Sequence, residues 1–221
     1  MTMTTTTTVD DAVVASRRAV IDESGWGAKF HVIQPRNFTF WVMAFLFVVG
    51  GTLTVRGFVA SGKAYTDAVS LGIAWFGAFA LLFLWIFHRL DRYSSIPAKA
   101  KIVAFLFAGL VTTFGMAAIN NDAFRSILHK TQGTDFWLDW SAGLTAPWSE
   151  EIAKALPVIL LIGLAPRIMR TAFDGLIIGA ISGLAFQVFE DVAYTWGSAA
   201  ANFGEAKYGT TTLGLRTVLS T

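Results

Sequence analysis

Five stretches of this chain are apolar at almost every position for about twenty residues: 38–55, 68–87, 102–121, 144–165 and 173–196. Each is long enough for one helical crossing of a bilayer. The runs are continuous rather than alternating, so they predict transmembrane helices and not β-strands. The first three contain no charged residue, and the first two stop at Arg56 and at His88-Arg89. The expected architecture is an all-α, polytopic transmembrane bundle of about five spans. Residues 1–37 read as a disordered, basic arm, because they open on M-T-M-T-T-T-T-T and continue to Arg17-Arg18. Residues 38–196 read as the transmembrane domain. Residues 197–221, starting G-S-A-A-A-N-F-G, read as an outer loop or the start of a further span. Residues 120–140 read as an interfacial amphipathic joiner, with Phe124, Ile127 and Leu128 opposed to Arg125 and Lys130.

Basic residues in short loops set orientation. One side collects Arg17, Arg18, Lys29, Arg36, Arg89, Arg92, Lys99, Lys101, Arg167 and Arg170; the other collects Arg56, Lys63, Arg125, Lys130, Lys207 and Arg216. The richer side is placed in the cytoplasm, together with the N-terminus, and the protein in the cell membrane. Trp137, Trp140, Trp148 and Trp196 then fall at the outer boundary, where an aromatic belt is expected.

Composition agrees: 54% of the 221 residues are hydrophobic and 14% are charged, against about 25% charge in an average soluble domain. There is no Cys, which excludes disulfides, thiolate catalysis and Cys-ligated metal. The net charge of +2 gives no basis for nucleic-acid binding. The three His residues, 31, 88 and 129, all lie outside the predicted spans.

The fourth and fifth runs differ from the others because they carry acids. Glu150-Glu151 and Glu190-Asp191 sit within them. A charge at a bilayer centre costs about 2.5–3.5 kcal/mol on insertion scales, which makes these residues the leading candidate site. With the assigned topology, both pairs lie roughly 8–10 Å from the outer side at 1.5 Å rise per residue. Glu150 and Lys154 are four apart and share a face, while Glu151 points about 100° away. Ser149 capping a helix, with both acids favouring its dipole, is the structural alternative. On the fifth run, Phe186, Glu190 and Tyr194 recur at helical spacing, and Glu190 paired with Lys154 as an interhelical clamp is the corresponding alternative. Gly175, Gly179 and Gly183 form a repeated G-x-x-x-G, the pattern of closely packed helices. Thr171-Ala172-Phe173-Asp174 reads as a capping box. Asp174, roughly 24 Å from Glu190 along a helix, belongs elsewhere. A carboxylate in a weakly polar site can act as a general base, and intramembrane peptide hydrolysis requires one, with a water and an oxyanion stabiliser.

E-E-I-A-K at 150–154, F-D-G at 173–175 and F-Q-V-F-E-D-V-A-Y at 186–194 together resemble the E-E-x-x-K and F-x-x-x-E-N-x-x-Y blocks of the PrsW family of intramembrane proteases, which is related to the CAAX prenyl protease group. The resemblance covers roughly 146–196. It implies an intramembrane endopeptidase that cuts membrane-anchored, single-span proteins, such as anti-sigma factors, near the extracytoplasmic face. Glu150 and Glu151 would then be the catalytic pair, with Glu190 completing the site. Lys154, Phe186, Asp191, Tyr194 and Asp174 would support it. The resemblance also implies a divalent metal such as zinc, with Glu190 and Glu151 as its candidate ligands, and leaves open which glutamate is the base. Asp191 stands where the family usually has Asn. A third family motif begins with His in a later span, and no His follows Trp196. This leaves two readings, a part of a longer protein or a member lacking full catalytic equipment. His129 is placed in a solvated loop. Two other functions fit the same acids: an inactive scaffold in a membrane complex, and a transporter or ion pathway. The second meets no inverted repeat and no pair of broken helices.

Overall fold

The computed structural model describes residues 6–23, 30–94 and 96–219. Its elements are helices α1 (Thr6–Glu23), α2 (Phe38–Ala64), α3 (Thr66–Leu90), α4 (Ala98–Phe107), α5 (Ile119–Gln132), α6 (Thr134–Leu164), α7 (Ala172–Ala201) and α8 (Ala206–Leu219). A π-helical segment, Ala108–Ala118, joins α4 to α5 without a break. There is no strand among the described residues, as the continuous apolar runs require.

Among the described residues, four helices are long and apolar enough to cross a membrane: α2, α3, the run Ala98–Gln132 and α7. The protein is thus an all-α membrane bundle. The fifth long helix, α6, carries Glu150, Glu151 and Lys154 in its middle. The most apolar window of α7 is 50% buried within the protein, against 22% for α2 and for α3. That difference makes α7 the central helix and leaves α2 and α3 on the rim, with Trp41, Phe45, Val48, Leu81 and Trp85 turned outward. A lipid-facing surface should look like this, because tails are as apolar as the side chains they meet.

The helices run further than the hydropathy. α2 continues through Arg56 to Ala64, and α3 follows after Tyr65 alone. α5 and α6 form a hairpin about Gly133, whose φ of +88° suits glycine and disfavours a side chain. The segment 120–140 is therefore two helices and not one interfacial joiner. The arm expected to be disordered contains α1, which is exposed from Asp10 to Ile21. Beyond the Thr tract this stretch is rich in helix-forming Ala and Arg. Residues 206–219, expected as loop or span start, form α8.

Close packing occurs at glycines other than those of the G-x-x-x-G pattern. A Cβ on Gly175, Gly179 or Gly183 would meet nothing within 4 Å, so that face receives no helix. A Cβ on Gly115 would lie 2.5 Å from the Gly50 Cα, and one on Gly109 would lie 2.5 Å from the Phe189 ring. Here α2 and α7 press on the π segment. Gly115→Ala forces backbone apart, and overpacking of this kind costs about 1–3 kcal/mol. The expected outcome is a lowered midpoint of thermal unfolding in detergent, with Gly179→Ala unchanged in the same assay.

At the other end of the bundle, Asn37 caps α2 by accepting from Thr39 N at 2.9 Å, and its Nδ2 donates to Gly163 O at 3.1 Å. One side chain thereby fixes the start of α2 against the end of α6. Below it lies the core of Met43, Phe107, Val111, Leu160, Leu164 and Ile178. Lys101 and Ser94 both bond the buried Asp91 and pin the turn between α3 and α4.

Candidate active site

α6 brings Glu150 and α7 brings Glu190 to the wall of one cavity of about 320 Å³. The π segment contributes Thr113, Phe114 and Ala117; α5 contributes Asn121 and Arg125; α7 adds Phe186 and Tyr194. A π-helical stretch is rare and frequently marks a functional site. In this one, Thr112 donates from Oγ1 to Ala108 O at 2.5 Å and Thr113 does so at 3.3 Å, so that carbonyl takes two hydroxyls.

Each glutamate has its own holder. The Asn121 Nδ2 donates to Glu150 Oε1 at 3.0 Å, and the Asn121 Oδ1 accepts from the Ser149 hydroxyl. The alternative of Ser149 as a helix cap is overturned, because α6 begins fifteen residues earlier at Thr134 and Ser149 lies in its interior. The Arg216 Nη2 donates to Glu190 Oε2 at 3.0 Å, so the alternative of a Glu190–Lys154 clamp gives way to an arginine from α8. Arg216 also donates from Nε to Asp191 Oδ1 at 2.6 Å, and its Cζ lies 4.1 Å from the Tyr194 ring centroid. Asp191 is 2% exposed and accepts a second bond, from Gln187 Nε2 at 2.9 Å.

The two glutamates of the pair have different surroundings. The Glu150 side chain is 16% exposed and that of Glu151 is 67% exposed. Glu151 is absent from the cavity wall and pairs with Lys154 at 2.8 Å, while Lys154 stands 4.0 Å from Glu150. Lys154 therefore bridges the pair, and its ammonium sits 4.8 Å above the Phe186 ring. Phe186 itself is buried.

Asp174 is far down α7 from this group and forms the expected box. Thr171 N donates to Asp174 Oδ2 at 2.9 Å, and Asp174 N donates to Thr171 Oγ1 at 3.1 Å. Asp174→Ala should lower stability by about 1 kcal/mol, the usual loss for a cap, as a small shift of thermal midpoint. Trp196 also departs from expectation. It leaves the outer belt and packs inward on Phe58 and Phe114, at ring-centroid separations of 4.8 and 5.9 Å. Trp140 and Trp148 remain exposed.

Asn121, Ser149, Gln187 and Arg216 escape the sequence reading as site residues. The polar Asn120-Asn121-Asp122 at the end of an apolar run was the available signal for the first. Arg216 offers none, since it lies 25 residues beyond Asp191 and reads as a loop charge.

Catalytic zinc usually takes three protein ligands from His, Asp, Glu or Cys. No group of three or more such side chains stands together among the described residues. The carboxylates present share their space with the Arg216 guanidinium, and the two candidate ligands diverge, Glu190 into the cavity and Glu151 away from it. This donor set does not fit zinc. His129 is no substitute: its ring lies tilted by 56° against Trp137, with centroids 5.1 Å apart, and meets Thr134 Oγ1 at 3.2 Å in the α5–α6 hairpin.

The sequence model of the family described as PrsW family intramembrane metalloprotease matches residues 96–221. No curated protein and no solved structure matches the chain.

Proposed function

The chain belongs to the PrsW family of intramembrane metalloproteases, and from that premise we propose that it hydrolyses membrane-anchored, single-span proteins in the cavity between Glu150 and Glu190. The observation that carries the proposal is that Glu150 and Glu190, from different helices, share one cavity and are held there by different partners.

The division of labour follows from those partners. Glu150 is bonded by a neutral amide, whereas Glu190 is engaged by a guanidinium in a charge-assisted bond. We assign Glu150 as the general base. It takes a proton from a water whose oxygen attacks the scissile carbonyl carbon, and the carbonyl electron pair moves to oxygen. Collapse of that oxyanion breaks the C–N bond, and the proton passes from Glu150 to the leaving nitrogen. Glu190 orients the water. Asn121, Arg125 and Tyr194 lie in the same wall and are the donors available to the developing oxyanion. Glu151 acts through Lys154, holding it near Glu150.

In this reading α6 is the fifth crossing, residues 38–196 form the catalytic bundle, and the N-terminus is cytoplasmic. The charges of Glu150, Glu151 and Lys154 in the middle of α6 are then tolerated because Glu150 and Lys154 turn inward. The cavity opens toward the extracytoplasmic half.

The test is cleavage of a single-span substrate in proteoliposomes by the full-length natural protein. Wild type should cut, and Glu190→Gln should lose about two orders of magnitude or more in rate, a typical contribution for a positioned catalytic group. Mass spectrometry of the products should place the cut within roughly 10 Å of the extracytoplasmic end of the substrate helix, by the depth at which the glutamates lie. Cleavage that survives Glu190→Gln undiminished would overturn the assignment.

A further inference from the structure

Arg216 comes from outside the two helices that carry the acids, yet it touches three residues of the site. Its Nε takes Asp191 Oδ1, its Nη2 takes Glu190 Oε2, and its plane lies over Tyr194. We propose that Arg216 is a positioning residue for proteolysis: its guanidinium, anchored on buried Asp191, holds the Glu190 carboxylate toward Glu150. This inference rests on the carboxylate reading above.

Adjacent residues on a helix diverge by about 100°, so Glu190 and Asp191 would ordinarily face different neighbours. A guanidinium is a rigid planar fork whose separate N–H groups can reach two acceptors at once. Here one prong is fixed by Asp191, which Gln187 also holds, and the ring of Tyr194 fixes the plane. With those two constraints met, the remaining prong defines where the Glu190 oxygen stands. The support extends to α8 itself. Trp75 Nε1 donates to Thr217 Oγ1 at 2.9 Å, Thr212 Oγ1 donates to Ser198 Oγ at 2.7 Å, and Gly209 lets the helix settle against Thr195. Three ties along α8 deliver Arg216 to one place. Misplacement of a reacting group by about 1 Å can cost about 10²-fold in rate, so a carboxylate that lost this fork would lose turnover rather than substrate affinity.

The test uses the full-length protein in proteoliposomes with a single-span substrate titrated by mole fraction in the bilayer. Arg216→Lys keeps the charge but has no fork. It should fold with a thermal midpoint near wild type and lower kcat by about 10–100-fold, with KM within about twofold. Arg216→Gln should lower kcat further, with Arg216→Lys restoring part of the loss. Asp191→Asn should also lower kcat, and adding it to Arg216→Lys should produce little further loss, because both act through one fork. Should Arg216→Gln fail to fold, the Lys variant decides. A purely structural role would reduce the folded fraction and leave kcat per folded enzyme unchanged. That result, or an increase in kcat, overturns the proposal. Glu150→Gln and Glu190→Gln run alongside separate the two levels. If they cleave like wild type, the carboxylate reading has failed and this inference with it. If they are inert while both Arg216 variants turn over normally, only the role of Arg216 falls.

Discussion

Glu150→Gln is expected to lower kcat by about 10³-fold, within the 10²–10⁴ that a general base contributes, while Glu151→Gln loses about tenfold or less. The two are neighbours in sequence and chemically identical, so composition offers no reason to separate them. Geometry does. Glu150 lines the cavity, is bonded by Asn121 and is mostly buried; Glu151 is two-thirds exposed and bound to Lys154. Gln at 150 keeps the shape, and its amide oxygen still accepts from Asn121 Nδ2, but it cannot accept a proton from water. Gln at 151 leaves the cavity wall intact and weakens one ion pair. Single-turnover cleavage in proteoliposomes reads both. If Glu151→Gln were as inert as Glu150→Gln, the pair would be acting as a unit and Glu150 could not be assigned alone. Ser149→Ala is a useful companion, because it removes the hydroxyl bonded to Asn121 and leaves Glu150 in place.

The existence of the helices was legible because an apolar run of about twenty residues is suited to little besides a membrane crossing, and α2, α3 and α7 lie where such runs lie. Their ends were less legible. Hydropathy falls at Arg56, but the backbone continues helical because nothing in Gly57–Ala64 stops it. The end of α5 is set by the positive φ of Gly133, a local event inside a polar stretch. The juxtaposition of Glu150 and Glu190 could be anticipated from equal depth in opposite-running spans. Which glycines pack could not. The regular Gly175, Gly179 and Gly183 face open space, and Gly50 and Gly115, without a shared motif, touch across two helices. Contact of that kind depends on the register of two helices and leaves no periodic trace in either. Arg216 was hidden for the same reason, since its partnership with Glu190 is made by the turn that folds α8 back on α7.

Asp191→Leu should destabilise the protein by about 3 kcal/mol, the low end of the range for removing one partner of a buried ion pair, since Arg216 retains some access to solvent. Asp191 is the anchor of a polar group with almost no exposure, and its loss takes from the Arg216 guanidinium and the Gln187 amide the acceptor they share. Asp191→Asn is the milder change, because an amide oxygen still accepts both bonds while the charge is lost; about 1–2 kcal/mol is expected. The family resemblance places Asn at this position; here the residue is an Asp whose carboxylate pairs with the Arg216 guanidinium. The decisive measurement is the pair of backgrounds. Arg216→Gln should cost substantially less in an Asp191→Leu protein than in wild type, because the cation it removes no longer has Asp191 to bond. Thermal unfolding in detergent, measured for the two single variants and the double, gives the coupling directly. Strict additivity would mean that the 2.6 Å contact contributes nothing to stability, and that Asp191 is held in place by α7 packing alone.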